Sequence, residues 1–375
     1  MRLTLLVALL FSSLFSIAQD YYLFVGTYTA RNSGSKGIYV YRFHAATGEM
    51  DLVSTAAAED PSYLTLAPGG RYLYSVNETH EGNSGGVSAF SFNKGTGQLK
   101  FINKQKSGGA DPCYITVDAH RKWAFVANYS GGSLAALPIK ADGSLGAITQ
   151  FIQHTGTGPN AQRQDKPHVH STILSPDERF LVVADLGLDQ LSVYHFNTEA
   201  PTLPLSASPD SIVTITPGSG PRHTSFSPRR PYVYLLNEMS GTVDAFHYSE
   251  GKLLPLQHIS SHPEGYTGSI GSADIHVGPG EKYLYASNRG DANSIATYAI
   301  DPANGKLSIK GFQSTLGKTP RNFIVDPSGR WLLVANQGSN NIVIFSIDPN
   351  TGLPKPTGKQ VQVPAPVCLK LLPAK

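Results

Sequence analysis

The chain has 375 residues with only 15% charged, 37 Gly, 26 Pro, 18 Tyr and 16 Phe, and a formal net charge of +3. Lys and Arg are scattered rather than clustered, so the sequence lacks a nucleic-acid footprint and no nucleic-acid partner is expected. The excess of turn formers and aromatics points to many short strands rather than to helices or disorder.

The first element is a leader. Met1-Arg2-Leu3-Thr4 is followed by the apolar run Leu5 to Phe15, and Ser16-Ile17-Ala18 places small residues where a signal peptidase reads. Cleavage is expected before Gln19, leaving residues 19–375 as one domain, periplasmic or secreted. The apolar run falls short of the ~20 residues that span a bilayer, so no membrane association is expected after cleavage. Cys113 and Cys368 lie in different repeats and read as buried thiols rather than a disulfide framework.

From residue 21 onward a single unit recurs. It consists of an apolar strand, a Pro-containing turn, a Tyr/Leu/Val strand ending in Asn, a short loop, and a third strand alternating with period two. Copies begin at Pro61, Pro112, Pro167, Pro221, Ser272 and Pro320, and their second strands end at Asn77, Asn128, Asp185, Asn237, Asn288 and Asn336. Glycine-containing hairpins at Gly95-Thr96-Gly97, Asp142-Gly143, Asn304-Gly305 and Thr351-Gly352 are expected to lead into outer strands. A period of roughly 50 residues with four strands per unit is the signature of propeller blades. The mature chain opens at a second strand, Leu23 to Thr27, and closes with a first strand, Pro366 to Leu371. These halves complete one another, which predicts an all-β, seven-bladed propeller whose ring is closed by a blade shared between the termini.

Chain direction in such a ring brings the starts of the first strands and the exits of the second strands to one channel mouth. The starts carry Ser62, Cys113, His170, Arg222, Ala273 and Arg321, followed by Tyr63, Tyr114, Ser171, His223, Asp274 and Asn322. The exits carry Glu78, Tyr129, Asp185, Glu238, Arg289 and Gln337. Charge concentrated at a channel mouth in a charge-poor chain is poor structure and plausible chemistry. Glu238 or His170 could take a proton from water, while Arg222 and Arg289 could hold an oxyanion, a carboxylate or a phosphate. His168, Arg321, Asp185, Asp274 and Glu78 are the expected substrate contacts. His168 and His170 share a strand face, but no third histidine stands at ligand spacing, so no metal is expected, and no other cofactor. His276, in mid-strand, reads as a hydrogen-bonded core histidine. An Arg222–Glu238 ion pair that merely lines the channel is the plain structural alternative.

The motifs Pro167-His168-Val169-His170-Ser171, Gly220-Pro221-Arg222-His223, Ser272-Ala273-Asp274-Ile275-His276, Asn288-Arg289-Gly290 and Pro320-Arg321-Asn322 stand in register. Together with the opening Val25-Gly26-Thr27-Tyr28-Thr29 they resemble the lactonase propeller family, which includes propeller-type 6-phosphogluconolactonases and carboxymuconate lactonizing enzymes. The resemblance covers roughly residues 21 to 373 and implies catalytic roles for His170, Arg222, Glu238 and Arg289. Asp274 departs from it, standing where the family pattern has Glu. The resemblance implies a lactone hydrolase acting on a small-molecule sugar lactone or related acid, and a monomer is expected; the export signal weighs against a phosphorylated substrate, because phosphorylated sugar lactones are intracellular metabolites. A muconate-type cycloisomerase and a non-catalytic ligand-binding propeller are the alternatives.

Overall fold

The computed structural model describes residues 19–30, 33–80, 82 and 84–375; the leader expected at 1–18 lies outside them. Seven four-stranded antiparallel sheets form the blades. Blade 1 comprises Leu64–Leu66, Tyr72–Asn77, Gly86–Asn93 and Gln98–Lys106, from the channel outward. The inner strands of blades 2 to 6 are Pro112–Val117, Val169–Leu174, Pro221–Phe226, Ser272–Val277 and Pro320–Val325. Each inner strand touches the next around the ring. Blade 7 is the shared one: Pro366–Pro373 pairs with Tyr21–Thr27, from Tyr21↔Pro373 to Thr27↔Pro366. The predicted closure is therefore present, with the chain ends hydrogen-bonded to each other inside one sheet.

Burial explains why the strands differ in sequence. Second strands such as Trp123–Asn128 and Phe180–Asp185 are buried along their whole length between neighbouring blades, so they are continuously apolar. Outer strands such as Glu49–Ala57 alternate between exposed and half-buried and are correspondingly polar. Between blades 6 and 7, Leu23, Val25 and Phe43 pack against Leu333, Ala335 and Ile344. Each of the larger side chains among them contributes about 1.5–3 kcal/mol by leaving water.

Aromatic side chains also latch successive blades. Tyr74, Tyr234 and Tyr285 donate their hydroxyls to the carbonyls of Gly143, Gly305 and Gly352, at 2.9, 3.0 and 2.9 Å, in the outer hairpin of the following blade. Trp331 closes blade 6 on blade 7 through its indole N–H and the Ala45 carbonyl at 2.9 Å. The hairpin position must be glycine. Gly305 has φ of 72°, and a Cβ there would lie 2.4 Å from the Tyr232 ring.

Contrary to the sequence expectation, the Asp142-Gly143 hairpin does not lead directly into the outer strand of blade 2. It closes on an isolated bridge between Ile139 and Leu145, and the outer strand is only Gln150–Gln153.

Candidate active site

Two local devices aim side chains into the channel. The first is a bulge at the start of the inner strands. The pairing register shifts between Val169 and Ser171, between Pro221 and His223, and between Pro320 and Asn322, so His170, Arg222 and Arg321 fall out of the ladder. A bulged residue is unpaired and its side chain is re-aimed. The second device is the Asn that ends the second strands. Asn77, Asn128 and Asn336 donate side-chain N–H to the carbonyls of Glu59, Ser107 and Thr315, in the segments leading to their own inner strands, at 2.6, 3.0 and 3.2 Å. The residue after each Asn is thereby fixed beside the start of the inner strand.

At one wall of the mouth this converges on Glu238. Its Oε2 lies 2.9 Å from Arg222 Nε and 2.9 Å from Arg289 Nη2, and its Oε1 accepts from Arg163 Nη2 at 2.7 Å. His170 Nε2 stands 3.9 Å from Oε2. Arg222 and Glu238 are 2% and 7% exposed, so these are buried ion pairs. Burial pushes the Glu238 carboxyl up, but Arg289, Arg222 and their neighbours outweigh it and hold the group well below the usual carboxylate range. Burial pulls Arg289 down to about 10 against the opposing pull of Glu238, which leaves it cationic at neutral pH. His170 is held well below its ordinary value by burial and by Arg222 and His223, so its ring is neutral at pH 7.

Arg222 continues the network. Its Nη1 donates to the Ala273 carbonyl and to His223 Nε2. His223 Nδ1–H donates in turn to Asp274 Oδ1 at 2.8 Å, while His276 Nε2–H donates to Asp274 Oδ2 at 2.8 Å and Asn322 donates to the same oxygen. Burial and the Arg222 charge take His223 down to about 3. Asp274 is pushed up by burial but held well below its usual range by His276 and His223. It is thus an ionised brace beneath the site.

The other expected contacts separate. Asp185 accepts from the backbone N–H of His168 and Gly187 and pairs with His154 Nδ1 at 2.7 Å, bracing the blade 3 entry. The His168 ring stacks on Tyr129 at 4.5 Å, and its two nitrogens reach the Tyr129 carbonyl and Asp165. His276 is hydrogen-bonded at the wall, as its mid-strand position predicts. Cys113 and Cys368 are free and buried.

Across the mouth lies a cavity of about 550 Å3 between blades 6, 7, 1 and 2, lined among others by Tyr28, Asp60, Glu78, Asp111 and Arg321. Glu78 Oε1 accepts from the Tyr28 hydroxyl at 2.8 Å, and the Arg321 guanidinium lies over the Tyr28 ring at 5.3 Å. Arg321 has no hydrogen bond or ion pair among the described residues. Arg163 is the site residue that the sequence analysis missed. It sits in the long connection between the outer strand Gln150–Gln153 and the next inner strand, outside the aligned strand positions. His223 was placed at the mouth beside Arg222 but was given no role there.

Comparison with known proteins agrees with this architecture. The family model described as Lactonase, 7-bladed beta-propeller, matches residues 22–371. A protein of Formosa agariphila named 6-phosphogluconolactonase is 40% identical over 332 residues, covering 88% of this chain and 93% of its own. The crystal structure of a putative 6-phosphogluconolactonase from Bacteroides fragilis aligns with a TM-score of 0.90 and 41% identity, covering 95% of this chain and 99% of that one. The structure of Pseudomonas aeruginosa periplasmic gluconolactonase aligns with a TM-score of 0.90 and 37% identity, covering 95% and 100%.

Proposed function

The chain belongs to the seven-bladed β-propeller lactonase family, and we propose that it hydrolyses a sugar lactone at the channel mouth, water adding to the carbonyl carbon and the ring C–O bond then breaking. The observation that carries this reading is the convergence of Arg222 and Arg289 on one Glu238 oxygen. A tetrahedral intermediate places negative charge on the former carbonyl oxygen, and fixed cations in a buried site stabilise it without reorganising. Arg222 Nη2 makes no hydrogen bond among the described residues and is available for that contact.

Glu238 suits the role of anchor for the arginines, since its oxygens are committed to three guanidinium groups. Within this cluster, His170 has the lone pair that no guanidinium claims, and its access to substrate decides whether it takes part in proton transfer. His168 and Arg321 extend the surface that a hydroxylated ring would meet, while Asp185 and Asp274 act on the site through the residues they brace.

The leader before Gln19 supports export, with the mature domain beginning at residue 19 and acting outside the cytoplasm as a monomer. Phosphorylated sugar lactones are cytoplasmic metabolites, so export favours a lactone without phosphate. The relatives' names include both a 6-phosphogluconolactonase and a periplasmic gluconolactonase. The test is turnover by purified mature protein of gluconolactones with and without a 6-phosphate. Hydrolysis of the unphosphorylated lactone is expected, and a strict requirement for phosphate would contradict that substrate assignment. Failure on every lactone would remove the reading.

A further inference from the structure

The Glu238 wall supplies cations, but hydrolysis also needs a group with a vacant lone pair that meets both water and substrate. Two spaces at the mouth locate one. Adjoining the large cavity is a chamber of about 10 Å3, lined among others by Ser62, Glu78, Arg222, His223 and Arg321. Glu78 and Arg321 line both spaces, whereas Glu238 and His170 line neither. A polar volume of about 10–15 Å3 accommodates one water when two to four polar partners face it.

Two such partners are present. Ser62 Oγ and Glu78 Oε2 are buried without a hydrogen-bond partner among the described residues. Glu78 contrasts with the other carboxylates here. Glu238 is committed to three arginines; Asp60 accepts from the backbone N–H of Thr29 and Ala30; Asp111 pairs with His80 at 2.7 Å. Among the described residues only one oxygen of Glu78 is occupied, by the Tyr28 hydroxyl, which also fixes the rotation of the carboxylate.

We propose that Glu78 is the general base of the lactonase reaction and that a single water, held by its Oε2 and by Ser62 Oγ in the chamber, is the nucleophile. This rests on the lactone-hydrolysis reading and names its proton acceptor. As the water oxygen bonds to the lactone carbonyl carbon, one water proton passes to Glu78 Oε2. The carbonyl π electrons move onto the carbonyl oxygen, facing Arg222 and Arg321, which both line the chamber. When the ring C–O bond breaks, its electron pair goes to the ring oxygen, which takes the proton back from Glu78. The product is the open hydroxy acid, and the carboxylate is regenerated.

Glu78→Gln keeps the shape and can still accept from Tyr28 but cannot take a proton. On a lactone that the parent turns over, it should lose about 10²–10⁴-fold in kcat with KM within about threefold, and lose the acid limb of the kcat/KM profile. Glu78→Asp should recover part of the rate, which separates a base from a folding defect. Ser62→Ala should cost less, on the order of tenfold, and His170→Asn should cost less than Glu78→Gln. A Glu78→Gln enzyme within threefold of the parent in kcat, or one that keeps the acid limb, overturns the proposal while leaving the lactonase reading intact. A parent inactive on every lactone removes both. A crystal structure resolving solvent should show a water bonded to Glu78 Oε2 and Ser62 Oγ, and a dry chamber would overturn the assignment independently of activity.

Discussion

Arg222 Nε lies 2.9 Å from Glu238 Oε2, and this buried pair is the hinge on which the arginine cluster turns. Removing one partner of a buried pair leaves the other charge uncompensated, which costs about 3–5 kcal/mol. Glu238→Gln is therefore expected to lower urea stability by an amount of that order and to reduce turnover. Arg163→Ala removes a half-exposed partner and should cost below about 1 kcal/mol. Equal losses for the two variants would contradict the anchoring role.

Acid should destabilise the protein in two stages. His170 and His223 are neutral in the fold, with folded pKa values below the unfolded value of about 6.5. The unfolded chain then binds more protons as pH falls below 6.5, so their contribution is complete above that pH and is lost progressively towards the folded values. Glu238 and Asp274 are also depressed, relative to unfolded values of about 4.3 and 3.9, so their contribution declines only at lower pH. Urea titrations from pH 8 to 4 should show stability falling from about pH 6.5. His223→Gln should flatten that slope, and an unchanged slope would count against a neutral His223.

The blade latch predicts a strong effect far from the site. Gly305→Val combines a positive φ with a Cβ driven into the Tyr232 ring, and should cost roughly 2 kcal/mol or more. Tyr234→Phe, which removes one hydrogen bond to the Gly305 carbonyl, should cost about 1 kcal/mol. Melting temperatures of the two variants check this order, and a Gly305→Val protein as stable as the parent would contradict the packing.

The ring was legible in the sequence because its repeat has fixed punctuation. Pro221 and Asn237 bracket the same strand pair as Pro320 and Asn336, and the half-blades at Leu23 and Pro366 complement each other. Chain direction placed His170, Arg222, Glu238 and Arg289 at the channel mouth among other residues, and the family resemblance singled out those four together. The bulges that release His170 and Arg222 from the ladder left no local signal, because register shifts depend on pairing with the neighbouring strand. Arg163 reaches Glu238 from a loop outside the repeat. Asp274 was expected at the substrate, yet its carboxylate is spent on His223, His276 and Asn322, a consequence of which imidazoles the neighbouring strands bring within reach. The short outer strand of blade 2 was obscured by the Asp142-Gly143 turn, which resembles its counterparts but closes only a bridge.

The central claim is that guanidinium groups fixed by Glu238 stabilise charge that develops on the lactone oxygen. Arg222→Lys tests it most directly, because it keeps the positive charge but replaces a planar fork by a flexible point charge. Steady-state kinetics on a lactone that the parent hydrolyses should show kcat reduced by about 10²–10³-fold, the scale of losing one oxyanion donor, with KM nearly unchanged. A variant with parental kcat and a raised KM would instead place Arg222 in ground-state substrate binding and contradict the account.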